Sequence, residues 1–101
     1  MLTKRLYDEL EILSRHIRVL ETVMKHQPIG IVRISNLLGL GEHEVRHSLG
    51  VLENEGLIKP TPNGAILKPN AKDEILRIAQ VLDEVSDTAT VLKRELLKLV
   101  I

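Results

Sequence analysis

Between Pro28 and Pro69 the hydrophobic period of the chain changes twice in a short stretch, PIGIVRISNLLGLGEHEVRHSLGVLENEGLIKPTPNGAILKP. Residues 31–38 place Ile34, Leu37 and Leu38 on one helical face. Gly39-Leu40-Gly41 interrupts that face with two glycines, and Leu40 supplies an apolar plug. Helical period returns over 42–55, with Val45, Leu49 and Leu52 inward. It then gives way to two strand-length runs, Leu57–Thr61 and Ala65–Lys68, around Pro62-Asn63-Gly64. Asn-Gly is a strong hairpin signal because both residues tolerate positive φ. Pro60, Pro62 and Pro69 restrict the ribbon to an edge. Ile29–Ile31 is expected as a short strand beside it.

The 42–55 helix is the best punctuated. Gly41 is an acceptable N-cap, and Glu42 and Glu44 suit the positive end of the helix dipole. Gly56 fits the left-handed position past the end, which turns Leu57 back onto Leu52. By helical angle the face opposite the core carries His43, His47, Gly50 and Asn54, with Arg46 beside them. Arg46 is also spaced to pair with Glu42 one turn earlier.

Two long helices flank this segment. Residues 3–26 carry Leu6, Leu10, Leu13, Ile17, Leu20 and Met24 at spacings of three and four, with Ile12, Val19 and Val23 on a second stripe. Two stripes imply one face for the core and one for something else. Pro28 disfavours helical geometry at the preceding residue and so ends the helix. After an Asn70 cap, Ile75, Ile78, Leu82, Val85, Ala89, Leu92, Leu96 and Leu99 form an unbroken heptad seam. That seam reads as a coiled-coil helix that packs on the first helix and on a second copy. The expected architecture is mainly α with a small β-hairpin. Residues 1–69 form one domain (long helix 3–26, helix-turn-helix 31–55, hairpin 57–68), and 70–101 form a dimerisation helix.

Composition narrows the function. With no Cys, Trp or Phe and a single aromatic, Tyr7, the core must be aliphatic. A cysteine-free chain has no disulfide framework or thiolate site and fits a reducing cytoplasm. MLTKRLYDELEIL interleaves charge with apolar residues, so it reads as neither a signal peptide nor a membrane span. Formal net charge is zero, but it is unevenly spread. Residues 57–72 hold Lys59, Lys68 and Lys72 and no acid, whereas 41–56 hold four glutamates against Arg46. Lys59 and Lys68 straddle the hairpin, each placed to neutralise a phosphate.

Catalytic patterns are scarce. His43-Glu44-Val45-Arg46-His47 matches H-E-x-x-H, in which two His one turn apart bind zinc and the Glu activates water. A working site needs a third ligand and a cleft, and neither is legible, so the two His read as surface residues. No Ser/His/Asp set, carboxylate pair or glycine-rich phosphate loop is visible. His16, between the two stripes of the first helix, reads as a partly buried, hydrogen-bonded histidine. The chain reads as a non-enzyme with no metal or cofactor.

The segment from Pro28 to Lys68 resembles small archaeal winged helix-turn-helix proteins regarded as transcriptional regulators, relatives of the MarR-like and ArsR-like groups. The resemblance is carried by PIGIVRIS, NLLGL, EHEVRHSL, VLENEGLIKPT and NGAIL. It implies a homodimer on double-stranded DNA, with the second helix of the motif in the major groove and the wing beside it. It also implies reading positions at His43, Arg46, His47, Gly50 and Asn54. Arg33, Lys59, Thr61, Asn63 and Lys68 would then point toward phosphates. The acidic flank of the 42–55 helix supports an alternative expectation, a winged helix that binds a protein. Neither reading specifies an effector ligand.

Overall fold

A computed structural model describes all residues, 1–101, as α1 (Lys4–His26), α2 (Ile31–Leu38), α3 (Glu42–Asn54), β1 (Ile58–Thr61), β2 (Gly64–Leu67) and α4 (Ala71–Lys98). The chain divides into two units, Met1–Ala71 and Lys72–Ile101. None of its helices is long and apolar enough to cross a membrane.

In the first unit, α1, α2 and α3 pack on one another, β2 packs on α1, and β1 packs on α3. The core is aliphatic: Val19, Leu20 and Val23 of α1, Ile29, Ile34 of α2, Val45 and Leu52 of α3, then Leu57, Ile58 and Ala65. Only the C-terminal half of α1 contributes fully buried side chains. Of its two apolar stripes, the one containing Val19 and Val23 faces the core. Leu6, Leu10, Ile17 and Met24 of the other remain exposed, and only Leu20 of that stripe is buried.

Helix boundaries follow local chemistry. The α1 backbone turns extended at Gln27, before Pro28, and the Gln27 amide still bonds back to Val23. Gly41 precedes α3 in extended geometry, and its amide donates to the Glu44 carboxylate at 3.1 Å. Past α3, Gly56 takes a φ of +77°, which is favourable for a residue without Cβ. This lets the Leu57 amide reach the Leu52 carbonyl at 3.0 Å, and both leucines are buried.

The hairpin pairs Ile58 with Leu67, Lys59 with Ile66, Pro60 with Ala65 and Thr61 with Gly64. The turn residues are therefore Pro62 and Asn63, one position earlier than an Asn-Gly turn would require. Asn63 does not take positive φ, and Gly64 does, at +124°. Proline at the first turn position fixes a negative φ there and excludes the doubly positive turn that Asn-Gly favours. The Thr61 hydroxyl donates to the Gly64 carbonyl at 2.6 Å and accepts from the Asn63 amide at 3.2 Å. Ile29 bridges to Ala65 through both backbone bonds, as a third, one-residue strand. The bridge brings the Ile29 backbone so close that a Cβ on Gly64 would lie 2.5 Å from it.

The second unit is the long helix itself. Along its seam Ile75, Ile78 and Leu82 are half-buried, while Val85, Ala89, Leu92, Leu96 and Leu99 are exposed. At its start the Ala71 amide donates to the Lys68 carbonyl.

Candidate nucleic-acid interface

The face of α3 turned away from the core is a ridge with two flanks of different character. On the crest, His43, Gly50 and Asn54 are exposed, and a Cβ on Gly50 would meet nothing within 4 Å. Arg46 lies toward the hairpin side and His47 toward α1, because 100° per residue separates them around the helix.

The hairpin flank is a concave groove of about 730 Å³. Its apolar floor includes Ile29, Val32, Leu49, Ile58 and Pro60, and Val32 is 59% exposed. Arg33, Glu42, Arg46 and Glu53 bring two charges of each sign to its walls. Arg33 and Arg46 form no ion pair, and neither do the two glutamates. The expected Glu42–Arg46 pair is therefore absent, leaving the Arg46 guanidinium free. Thr61 and Asn63, at the hairpin tip, also border the groove, although the Thr61 hydroxyl is occupied within the turn.

The ribbon lysines sit elsewhere. Alternation puts Ile58, Pro60 and Ala65 on the groove side, whereas Lys59 and Ile66 pair on the opposite face, with Lys68 in the same register as Ile66. The ten expected contact residues thus fall into separate sets. Arg33, Arg46, Thr61 and Asn63 border the groove; His43, Gly50 and Asn54 line the crest. Lys59 and Lys68 occupy the back of the ribbon.

His47 belongs to the α1 flank, in a polar cluster that no motif announces. The Arg15 guanidinium of α1 donates to Nδ1 of His47 at 2.7 Å and to the Ser48 hydroxyl at 3.2 Å, and it pairs with Glu44 at 3.5 Å. Ser48 is fully buried and also bonds Nδ1 of His16 at 2.7 Å. Burial lowers the His16 pKa below its ordinary value, and the neighbouring Arg15 guanidinium and His47 imidazole push it the same way. The cluster ties α3 to α1 and sets the rotation of the ridge. Ser48 escapes a sequence reading because its partners lie more than thirty positions away; its only local signal is a place beside Val45 and Leu52 on the inward arc. His43 and His47 have no third partner, since no group of three His, Asp or Glu side chains converges on a metal-sized site.

No protein-family model matches the chain, and no curated protein matches it by sequence. Solved structures do match. The activation domain of the phage T4 transcription factor MotA is 24% identical over 72% of this chain and 78% of that one, with a TM-score of 0.51. Staphylococcus aureus MarR, in complex with salicylate and kanamycin, is 16% identical over 89% of this chain and 65% of its own, with a TM-score of 0.52. The chain has a winged-helix fold. In that frame α2 and α3 are the helix-turn-helix, and β1–β2 is the wing.

Proposed function

We propose that this winged-helix chain is a dimeric transcription regulator that binds double-stranded DNA. The crest of α3 enters the major groove, and the wing, residues 57–68, lies along flanking phosphates. One observation carries the reading: the α3 crest is exposed and unobstructed, and the one arginine beside it, Arg46, is committed to no partner in the protein. A free guanidinium there can form two hydrogen bonds to guanine, and Asn54 can do the same for adenine. Gly50 permits close approach of a backbone. Arg33 and Asn63 flank the same side and serve phosphates. Lys59 and Lys68 reach phosphates only where the duplex curves around the ribbon, so they are the outer contacts. The seam of α4 holds two copies together, and their half-sites lie about 34–36 Å apart, or a multiple of that.

A second reading rests on the groove itself. An apolar floor walled by Glu42 and Glu53 repels a phosphate backbone and suits an apolar protein segment that carries a basic residue. The MotA match is to an activation domain, so a winged helix of this shape has a transcriptional role under that description too. The two readings separate in one experiment: selection of bound fragments from random duplex DNA, followed by binding measurements on Arg46→Ala, Asn54→Ala and the charge-neutral Val32→Ser. DNA binding on the crest requires that Arg46→Ala and Asn54→Ala weaken binding while Val32→Ser does not. Failure to recover any DNA, or equal binding by all variants, contradicts it.

A further inference from the structure

Helix α4 carries an electrostatic asymmetry that bears on how two copies meet. Its first part, 72–87, holds Asp73, Glu74, Asp83, Glu84 and Asp87 against Lys72 and Arg77, a net of −3. Its second part, 88–98, holds Lys93, Arg94 and Lys98 against Glu95, a net of +2. Within the helix only Arg77–Glu74 and Lys98–Glu95 pair, so Asp83, Glu84, Lys93 and Arg94 are uncommitted. The C-terminal part of the seam is open, with Leu96 61% exposed and Leu99 79%, while Ile75, Ile78 and Leu82 are half-buried.

We infer that α4 pairs with α4 of a second copy in antiparallel orientation, centred near Asp87. This rests on the dimer reading above and adds its geometry. Three features argue for it. First, a parallel pair stacks acidic half on acidic half and basic on basic, whereas an antiparallel pair sets each half against its opposite. Second, the seam matches itself when reversed. In antiparallel coils one heptad core position faces the other, and the eight seam residues then form complete layers. Ile75 meets Leu99 of the other copy, Ile78 meets Leu96, Leu82 meets Leu92, and Val85 meets Ala89. The small Ala89 faces a β-branched Val85 rather than a second alanine, so the central layers hold no alanine pair and leave a smaller void.

Third, this register levels the free charges along the axis. Lys93 of one copy is offset by only about 3 Å axially from Asp83 of the other, and Arg94 by about 6 Å from Glu84, against about 15 Å for both in a parallel pair. Asp83, Glu84 and Arg94 stand on the outer faces, off the seam, so these charges act as opposed fields and not as direct ion pairs. The helix dipoles also run opposed in the antiparallel pair, each positive end beside a negative one.

The absence of cysteine makes the test simple, because one introduced thiol is the only attachment point in each chain. Asp73 is exposed and lies off the seam, so a nitroxide on Asp73→Cys leaves the packing intact. In the full-length protein, electron–electron dipolar spectroscopy should give a label separation above about 40 Å, from 28 residues of axial offset at 1.5 Å each. A parallel pair gives about 20 Å, set by helix width and label reach. Light scattering on the same sample should return twice the 11.4 kDa chain mass. A doubled mass with the short distance overturns the antiparallel arrangement and leaves the dimer standing. A mass of one chain overturns both. As a second readout, the double variant Ile78→Cys, Leu96→Cys should oxidise to a covalent dimer while each single variant stays monomeric under denaturing conditions. Cross-linking of Ile78→Cys alone contradicts the inference.

Discussion

Arg15 of α1 donates to Nδ1 of His47 in α3, at 2.7 Å and across 32 positions of sequence. A guanidinium has no acceptor, so Nδ1 of His47 is the accepting atom of this contact. Beside it, Ser48 receives Arg15 and bonds His16, whose ring centre lies 5.4 Å from that of His47. Two imidazoles and one permanent cation thus share a pocket with Glu44 as the only anion paired to it. The orientation of the α3 ridge depends on that balance.

The first prediction is a loss of stability in mild acid. His16 has a folded pKa below its ordinary 6.5, chiefly through burial. As pH falls through about 6.5 the unfolded chain takes up the proton before the folded one does, so folding weakens from there down toward the folded pKa; above 6.5 the stability is intact. Thermal unfolding followed from about pH 8 to about pH 5 should show Tm falling through this window. His16→Gln should flatten the fall. An identical decline in the variant would place its origin elsewhere.

Ser48→Ala tests the same cluster from the other side. It strips the partly buried Arg15 Nε–H and the His16 Nδ1 of their shared partner. The expected cost is about 1–3 kcal/mol. The midpoint of urea unfolding should drop with the slope unchanged. A midpoint like that of the parent would mean that water replaces the hydroxyl and that the α1–α3 tie is not structural.

Two glycines should respond with opposite signs. Gly50→Ala, exposed in mid-helix with open space beyond it, should stabilise the fold by about 1 kcal/mol. Gly64→Ala combines a φ of +124° with a Cβ 2.5 Å from the Ile29 backbone. It should cost about 1–3 kcal/mol for the backbone conformation alone, with the displaced Ile29–Ala65 bridge added. Urea melts of the pair measure both. If Gly50→Ala also weakens DNA binding while raising stability, its effect on binding lies in the interface and not in folding.

Local signals reached far here. Gly41, Glu44, Gly56 and Leu57 bracket α3 because capping involves only residues within a turn of one another. The hairpin is legible for the same reason, whereas the strand expected over Ile29–Ile31 shrinks to a single bridge at Ile29, because Ile31 already begins α2. Long-range choices were not. Periodicity shows that α1 has two apolar stripes, but which stripe meets the core depends on α3 and β2, and only the C-terminal half of α1 is within their reach. Arg46 has an acid one turn away and leaves it alone, while Glu44 pairs with Arg15, a residue that spacing within α3 cannot reveal. Pro62 moved the turn by one residue, which sets Lys59 opposite Ile66 and not Lys68, while alternation from Ile58 keeps both lysines on the face away from the groove. Of the candidate contacts, the crest residues followed from helical angle. The division of the rest into groove, ribbon back and α1 flank needed the packed structure.

The most direct measurement of α3 as a DNA-reading ridge is the salt dependence of binding to a selected duplex, for the parent chain and for Arg46→Ala. Each neutralised phosphate contributes about −0.9 to the slope of log K against log salt. The parent should therefore bind with a steep negative slope corresponding to several phosphates. Arg46→Ala should weaken binding by about 1–3 kcal/mol if the guanidinium reads a base, with the slope little changed. Binding that is flat in salt and indifferent to Arg46 would contradict DNA recognition by this face.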